Sequence, residues 1–490
     1  MDVDETRYAA MARGMWHSKD FMTLYLNGDY FFEKPPLYFW TECLSFALFG
    51  KVNEFTIRFP VALYGTLSTF LLYFTGKKVV SRSYGVIAAL ILATSLEFTI
   101  LAKFAILDIV VSTCIGFAVM FGFMTFFCEE RSKKYLWWLF YVFSGLAVMA
   151  KGIPGFAVPF GTMFFVSIAQ KKFKEIFRPQ YILPGMLLFL LIVLPWHIAM
   201  FKLHDPLFFN EYIIKHHLAR FIGSKEINRN EPFYFYILTF LWGFMPWTLF
   251  TPALTVIARK AHSLTKQSSR FLLLNAIGFA FTFLFFSVSR TKLITYILPV
   301  YFFSANIMAF VWDDYIKSGE YKKFINPAVY AFGAISLITA IGAVFCKFYL
   351  PQQLYSDISP AVWPCAALLA ILGAVSILGV LKDKRVLVFA SYIFFFTMMS
   401  AFLTKTCFQI DYKFGQDDLM KFAKIAKERN KPLAVYDFGR RYSLIYYSGS
   451  NVDFDWNGTS SAYVIAKNKN LPQGLQTLEK GRKYSLLWKP

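Results

Sequence analysis

The segment FFEKPPLYFW, residues 31–40, places a lysine directly before two prolines. A residue that precedes proline is driven out of helical geometry, and proline suits the first turn of a helix. Lys34 is therefore predicted to stand extended at a helix start, where its ammonium adds to the partial positive charge of exposed N–H groups and suits a phosphate ligand. The alternative, equally compatible with the residues, is an interfacial lysine that reaches water beside a proline turn.

Carboxylates crowd the beginning of the chain, in MDVDETRYAAMARGMW. Asp2 or Asp4 can cap a helix that starts there. The apolar stripe of that helix would consist of Tyr8, Met11, Ala12 and Met15. On spacing alone these acids are either the carboxylates of a site or the caps of a solvated surface helix, and both interpretations stay open.

A second group of ionisable side chains lies in NEYIIKHHLARFIGSKEINRNEPFYFY. Glu211, His216, His217 and Arg220 occupy neighbouring turns of a predicted helix in this segment. An exposed histidine is most often an ordinary surface residue, so the spacing by itself does not make His216 or His217 a ligand.

The composition is that of a membrane protein: hydrophobic residues make up 57% of the 490 residues, aromatic residues 20% and charged residues 17%. A spanning helix needs about 20 apolar residues, and the sequence predicts about twelve such segments. They lie near residues 57–75, 84–101, 105–127, 135–150, 154–169, 181–201, 236–257, 270–288, 293–312, 327–348, 361–381 and 387–405.

The formal charge of +21 comes largely from the loops after every second segment. Their cations are Lys77, Lys78, Arg82; Arg131, Lys133, Lys134; Lys171, Lys172, Lys174, Arg178; Arg259, Lys260, Lys266, Arg270; Lys317, Lys322, Lys323; and Lys382, Lys384, Arg385. This alternation is the positive-inside pattern, which assigns those loops to the cytoplasm. The charge is therefore explained by topology and argues against a nucleic-acid surface.

The opposite, outer face carries ionisable groups that the topology does not require. Arg290 and Lys292 lie in the short link of SVSRTKLITYILP, where the charge asymmetry disfavours cations, so an anionic ligand is a reasonable explanation. Arg58, Glu97 and Asp108 lie near the outer ends of predicted spans, and such residues are costly in a bilayer. All three could be interfacial caps, which is the preferred interpretation for Glu97. Their common position nevertheless puts the chemistry outside, at the level of the lipid headgroups.

Three regions follow from this plan. Residues 1–56 form an outer juxtamembrane segment that carries the catalytic acids, residues 57–405 form the transmembrane helices with an outer loop at 202–235, and residues 406–490 form a small soluble α/β domain on the outer face. The last region begins with an amphipathic helix and a strand in DDLMKFAKIAKERNKPLAVYDF. Because residues 1–56 must reach the outer face, we expect a hydrophobic segment upstream of them.

Several motifs occur in an order that resembles a known family. DVDETRYAAMARGM, FFEKPPLYFW, NEFTIRFP, PWHIAMF, HHLARFIGS, EPFYFY, MPWTLF and SRTKLITYILP resemble bacterial membrane glycosyltransferases of the GT-C superfamily. The resemblance is greatest to the lipid A 4-amino-4-deoxy-L-arabinose transferases, which are similar in turn to protein O-mannosyltransferases. It covers about residues 1–300 and implies a GT-C fold and a polyprenyl phosphate-linked sugar as donor.

The resemblance also implies residue roles. Asp4 matches the family's general base, Glu5 adjoins it, and Asp108 matches a second acidic position of the catalytic group. The implied contacts to the donor phosphate are Lys34, Arg58, Arg290, Lys292, Tyr296 and Arg220. Glu33 and His217 match positions associated with a divalent metal ion, which a carboxylate and an imidazole could bind. A nucleotide cofactor is not implied, and the sequence shows no nucleotide-binding loop.

The implied reaction is a single displacement with inversion, in which an acceptor oxygen attacks C1 of the sugar and the polyprenyl phosphate leaves. The acceptor is lipid A, another envelope glycan or a Ser/Thr side chain of a protein, and the sequence does not choose among them. The implied location is the bacterial inner membrane, with the site on its outer, periplasmic face. A transporter of lipid-linked sugars is the alternative of a different class, but transporters commonly place polar residues at the bilayer midplane and contain internal repeats.

Overall fold

The computed structural model describes residues 3–176, 178–219, 231–260, 264–349, 352–411 and 416–490. The chain begins with helix α1 (Val3–Ser18), a two-stranded hairpin of β1 (Tyr25–Leu26) and β2 (Asp29–Tyr30), and helix α2 (Leu37–Phe49). The predicted apolar stripe of α1 is confirmed, because the side chains of Tyr8, Met11, Ala12 and Met15 are all buried. Burial is not confined to that stripe, because Ala9 and Ala10 are also buried, and the middle of α1 is therefore enclosed by the molecule.

The helical region that follows is long and nearly continuous. It comprises α3 (Glu54–Val79), α4 (Arg82–Thr94), α5 (Leu96–Leu101), α6 (Asp108–Met124), α7 (Glu130–Lys151), α8 (Ile153–Ala169), α9 (Phe173–Ile176), α10 (Pro179–His204), a π-helix (Phe209–Ala219), α11 (Phe235–Gly243), a 3₁₀ helix (Trp247–Ala253), α12 (Leu254–Lys260), α13 (Lys266–Val288), a second 3₁₀ helix (Ile294–Ile297), α14 (Val300–Ser318), α15 (Lys322–Tyr349), α16 (Gln352–Leu381) and α17 (Arg385–Asp411).

Within the described residues, six helices are long and apolar enough to cross a membrane. They are Glu54–Val79, Pro179–His204, Lys266–Val288, Lys322–Cys346, Val362–Leu381 and Arg385–Phe402. The pair Phe235–Gly243 and Trp247–Ile257, bent by 107°, makes a seventh if it is counted as one span. The polytopic membrane architecture is therefore confirmed.

The predicted number of twelve spans is not confirmed, although each predicted segment overlaps a helix. Some of these helices are too short: α4 has 13 residues, and α6 and α8 have 17 each. The predicted segment 84–101 is divided at Ser95, whose backbone is extended. A run of apolar residues predicts burial in lipid or protein, but it does not show where the helix breaks.

Close backbone contacts hold neighbouring helices together. A Cβ added at Gly85 of α4 would lie 2.4 Å from the carbonyl oxygen of Tyr73 in α3, and one at Gly155 of α8 would lie 2.2 Å from the carbonyl carbon of Ala147 in α7. Small residues permit such approaches, which are common between helices in membranes. Helix α6 packs against both α3 and α7, so these elements form one frame for the side chains at their ends.

The C-terminal residues form a mixed five-stranded sheet with two helices. Its elements are α18 (Asp417–Glu428), β3 (Leu433–Tyr436), α19 (Tyr442–Ser448), β4 (Val452–Asp453), β5 (Ala462–Lys467), β6 (Gln476–Lys480) and β7 (Tyr484–Lys489). The strand order is β4-β3-β5-β7-β6. Strand β3 is parallel to β4 and β5, whereas β7 is antiparallel to β5 and β6. Helix α18 and strand β3 correspond to the amphipathic helix and strand predicted there.

This sheet region contacts the N-terminal segment through polar side chains. Arg13 of α1 donates a hydrogen bond to the carbonyl oxygen of Tyr446. The side-chain amide of Asn27 pairs with both the N–H and the carbonyl of Val452, at 2.7 and 2.9 Å. The hydroxyl of Tyr447 donates to Glu54, in the first turn of α3, at 2.9 Å. Helix α19 and strand β4 therefore lie against α1, the hairpin and the start of α3.

Candidate active site

The first ion pair of the candidate site joins a carboxylate of α1 to a guanidinium of α3. Glu5 has no exposed surface, and its two oxygens accept hydrogen bonds from Nε and Nη2 of Arg58 at 2.6 and 3.0 Å. The backbone N–H of Ala105 also donates to Glu5, at 3.0 Å. A bidentate, charge-assisted contact of this kind fixes geometry strongly. We therefore expect Glu5 to fix the position of α1, while its predicted catalytic role and the predicted contact of Arg58 with a donor phosphate stay predictions.

Replacing Arg58 tests this assignment. Arg58→Met would leave a fully buried carboxylate without its partner, and breaking a buried ion pair typically costs about 3–5 kcal/mol. We expect a lower apparent Tm of the purified protein in detergent. Arg440→Met is the matched control, since Arg440 pairs with Asp455 on an exposed surface, and no change in Tm is expected there. A Tm of Arg58→Met equal to that of the wild type would contradict the positioning role.

Two further carboxylates, Asp4 and Glu33, lie beside Arg7 in the first turns of α1. Asp4 is 50% exposed and lies 3.9 Å from Nη1 of Arg7, whose Nη2 is 2.6 Å from Glu33. Burial lowers the pKa of Arg7, but the charge and hydrogen bond of Glu33, together with Tyr8 and Tyr442, outweigh burial, so the pKa is raised. Burial also raises the pKa of the Tyr8 phenol, and the charges of Asp4, Asp108 and Glu33 raise it further, against the effect of Arg7. The charges of three acids thus act on one buried phenol.

Asp108 brings a third element into this group. It is the first residue of α6 and forms an ion pair with Lys151, the last residue of α7. The two side chains are only 13% and 10% exposed. The Lys151 ammonium also lies 3.9 Å from the ring centroid of Tyr296, a favourable cation–π distance. The structure therefore brings Asp108 and Tyr296 together through a lysine.

The predicted phosphate-binding cations differ in their surroundings. Lys34 is 9% exposed and precedes Leu37, the first residue of α2. Lys292 is 5% exposed and donates to the backbone carbonyls of Glu231 at 3.0 Å and Ser289 at 2.6 Å. Burial lowers the pKa of Lys292, and the charge of Glu231 partly offsets this. Its ammonium thus stabilises the link between α13 and the second 3₁₀ helix. A direct phosphate contact of Lys292 stays a prediction.

The remaining predicted residues are only partly described. Arg290 is exposed, and its carbonyl accepts from the backbone N–H of Glu231 at 3.4 Å. Arg220 and the side chain of His217 lie outside the described residues. The predicted helix around them is a π-helix, in which His216 lies 3.5 Å from Glu211.

Comparison with known proteins follows this geometry. Residues 1–209 match the family model "Dolichyl-phosphate-mannose-protein mannosyltransferase". The chain is 30% identical over 348 residues to an uncharacterised protein of Aquifex aeolicus, and 30% identical over 345 residues to the undecaprenyl phosphate-alpha-4-amino-4-deoxy-L-arabinose arabinosyl transferase 2 of Proteus mirabilis. Over the matched residues the chain is therefore similar to the ArnT/PMT group of glycosyltransferases. These matches cover 70% and 69% of the chain, but 65% and 60% of the relatives, so it spans less than two thirds of their length.

The solved ArnT structures share the fold of this chain. The crystal structure of ArnT from Cupriavidus metallidurans bound to undecaprenyl phosphate superposes with a TM-score of 0.79 over 99% of this chain and 93% of that one, at 19% sequence identity. Its apo form superposes with a TM-score of 0.80. At this level of identity the likeness establishes the fold of the whole chain.

The predicted metal site stays a prediction, because the side chain of His217 lies outside the described residues. Glu33 is engaged by Arg7 at 2.6 Å, and a guanidinium beside a carboxylate opposes a dication there. Among the described side chains, no group of three or more His, Cys, Asp or Glu could hold a metal ion. We therefore derive no chemical step through Glu33 and a metal.

The sequence analysis did not identify two cations of the candidate site, Arg7 and Lys151. Lys151 ends α7 on the side opposite the basic cytoplasmic loops, so the charge asymmetry that identified Arg290 could also have found it. Arg7 lies inside the acidic motif, but its pairing with Glu33 joins residues 26 positions apart. The interpretation of Glu97 as an interfacial cap was wrong, because Glu97 is only 2% exposed and accepts a hydrogen bond from Tyr301 at 2.6 Å.

Proposed function

We propose that this protein transfers a sugar from a polyprenyl phosphate donor to an envelope acceptor, with inversion at the anomeric carbon. The observation that carries the proposal is the position of Asp4 and Glu33 at Arg7 and of Asp108 at Lys151, with the charges of the three acids all acting on the buried phenol of Tyr8. One carboxylate to accept a proton and fixed cations for a leaving phosphate are what this displacement requires. The similarity to the ArnT/PMT group and the fold support the same activity.

Asp4 is the proposed base. Asp4, Glu33 and Asp108 are called the acid group below, and Asp4 is the most exposed of them. Glu5, next to Asp4, is held by Arg58. The acceptor oxygen would attack C1 as the C1–O bond to the phosphate breaks, while Asp4 takes the proton of the acceptor hydroxyl. Because α1 is held by the buried Glu5 contact, Asp4 is presented with little freedom, and positioning of this kind contributes strongly to rate.

The leaving phosphate requires charge stabilisation more than a proton. Lys34, at the start of α2, and Lys151, at the end of α7, are the two buried ammonium groups that we assign to it. Fixed cations in a site of low exposure stabilise developing charge better than water does, because they need no reorganisation. Asp108 orients Lys151, and Tyr296 provides the face on which its charge rests.

Lys34→Ala is expected to weaken use of the donor by raising its KM, since a point charge near the phosphate is lost. The measurement is the initial rate against the concentration of an undecaprenyl phosphate-linked sugar. Lys469→Ala is the control, because Lys469 is an exposed lysine in the turn after β5. An unchanged donor KM in Lys34→Ala would refute the phosphate contact.

The experiment that tests the activity combines the purified protein with a panel of undecaprenyl phosphate sugars. Lipid A and Ser/Thr-containing peptides serve as acceptors, and mass spectrometry detects glycosylated acceptor and released undecaprenyl phosphate. The peptide acceptors are included because residues 1–209 match a protein mannosyltransferase family. Movement of intact donor across a vesicle membrane without released carrier would support the transporter instead. The proposed site faces the periplasm, on the side of the inner membrane opposite the basic loops.

A further inference from the structure

A cationic cleft lies between the N-terminal segment and the C-terminal sheet region, away from the acid group. Its volume is about 1050 Å³. Its charged walls are Arg13 and His17 of α1, Lys51 in the loop after α2, Glu54 of α3, and Lys424, Lys427 and Glu428 of α18. Four permanent cations therefore face two carboxylates. We propose that this cleft binds the phosphate of a lipid acceptor headgroup, an assignment that rests on the proposed transferase activity.

The positive charge is concentrated by the fold. Lys424 and Lys427 are three residues apart on the exposed face of α18, whose other face buries Leu419, Phe422 and Ala426. The two lysines consequently point together towards the end of α1. Burial lowers the pKa of His17, and the charges of Arg13, Lys427 and Lys19 lower it further, in agreement with the excess of cations in the cleft.

Glu54, one of the two carboxylates of the cleft, already has a hydrogen-bond partner. Glu54 accepts a hydrogen bond from the hydroxyl of Tyr447 at 2.9 Å. Arg13 is also held in place, through its hydrogen bond to the carbonyl of Tyr446. Lys51, Lys424 and Lys427 are exposed, so water can solvate their charges. A phosphate bound there would gain from several cations at once.

The position of the cleft indicates a lipid. Gly50, Lys51 and Val52 line it, and they directly follow the exposed apolar end of α2. There Phe49, 39% exposed, lies 5.0 Å from the ring of Phe55, 55% exposed, at the start of the spanning helix α3. An exposed aromatic pair at the end of a span is suited to the membrane interface. The cleft thus opens beside lipid tails, where a headgroup phosphate would lie.

Helices α1 and α3 lead from the cleft to the acid group. Arg13 lies nine residues after Asp4, about 13 Å along α1. Glu54 is one turn before Arg58 on α3, and Arg58 fixes Glu5 beside Asp4. A headgroup anchored by its phosphate in the cleft could extend along α1 and present a hydroxyl to Asp4. The donor cations Lys34 and Lys151 are not part of this wall.

The test compares charge reversal inside and outside the cleft. Wild-type protein, K424E/K427E and K467E/K469E are placed in phosphatidylcholine nanodiscs, and binding of bisphosphorylated lipid A is measured by native mass spectrometry. Lys467 and Lys469 are exposed residues at the far end of β5, so the control has the same charge change. We expect K424E/K427E to bind at least about ten-fold more weakly, and the control to bind as the wild type does.

Further arms identify the ligand. Lipid A stripped of phosphate should bind weakly to the wild type, and inorganic phosphate at millimolar concentration should not displace the phosphorylated lipid. Equal binding by K424E/K427E, tight binding of the stripped lipid, or displacement by inorganic phosphate would each overturn the lipid docking site. In the transfer assay K424E/K427E should raise the acceptor KM and leave the donor KM unchanged. Lipid A binding by a protein with no transferase activity would reject the proposed function but leave the phosphate site standing.

Discussion

Asp4→Asn is expected to reduce sugar transfer by about 10²–10⁴-fold, the typical contribution of a positioned general base. The amide has nearly the shape of the carboxylate but cannot take the proton of the acceptor hydroxyl. Asp4 is 50% exposed, so the substitution removes no buried charge, and stability should be preserved. The measurement is kcat for release of undecaprenyl phosphate at saturating donor and acceptor.

The control for Asp4→Asn is the same chemical change at Asp29, an exposed residue of the N-terminal hairpin. Asp29→Asn should keep wild-type kcat. Binding of donor to Asp4→Asn should also stay close to wild type, because the proposed phosphate contacts lie on other elements. Full turnover by Asp4→Asn in membranes that contain equal amounts of protein would remove Asp4 as the base.

Lys151→Met should lower kcat by about 10²–10³-fold, the range found when a preorganised stabilising group is removed from an active site. Methionine retains most of the side-chain volume and loses only the ammonium that pairs with Asp108 and lies over Tyr296. Lys382→Met, an exposed lysine between α16 and α17, is the matched control at the opposite membrane face, and its activity should be unchanged.

A double-mutant cycle separates two possible roles of this lysine. If Lys151 stabilises the leaving phosphate and Asp108 only orients it, Asp108→Asn should reduce kcat less than Lys151→Met, and the double variant should resemble Lys151→Met. Additive losses would mean that the two residues act independently, which their ion pair argues against. Normal kcat in Lys151→Met would exclude the lysine from phosphate stabilisation.

The class of this protein was predictable because hydrophobicity and charge asymmetry are properties of the chain alone. Apolar runs predicted helices at each of the twelve positions, and the motifs resembled the group of glycosyltransferases to which the chain is similar. The number of spans was not predictable in the same way. A break such as that at Ser95, or the 107° bend after Gly243, depends on what the neighbouring helices offer to the freed backbone groups.

The candidate site shows the same division. Sequence motifs singled out Asp4, Glu33 and Asp108 by residue type, and the outer location followed from the basic loops. Only the folded chain distinguished the exposed Asp4 from the buried Glu5, one residue later on the same helix, because exposure depends on which face of α1 meets Arg58 and Ala105.

By itself, the sequence determined a multi-pass helical protein with acids and cations gathered at one membrane face. The tertiary structure decided which of those charges pair: Arg7 with Glu33, Arg58 with Glu5, and Lys151 with Asp108. It also brought α18 beside α1 to form the cationic cleft. The physical reason is that Coulomb and hydrogen-bond energies fall steeply with distance, and distances between residues far apart in the chain are set by helix packing rather than by local sequence.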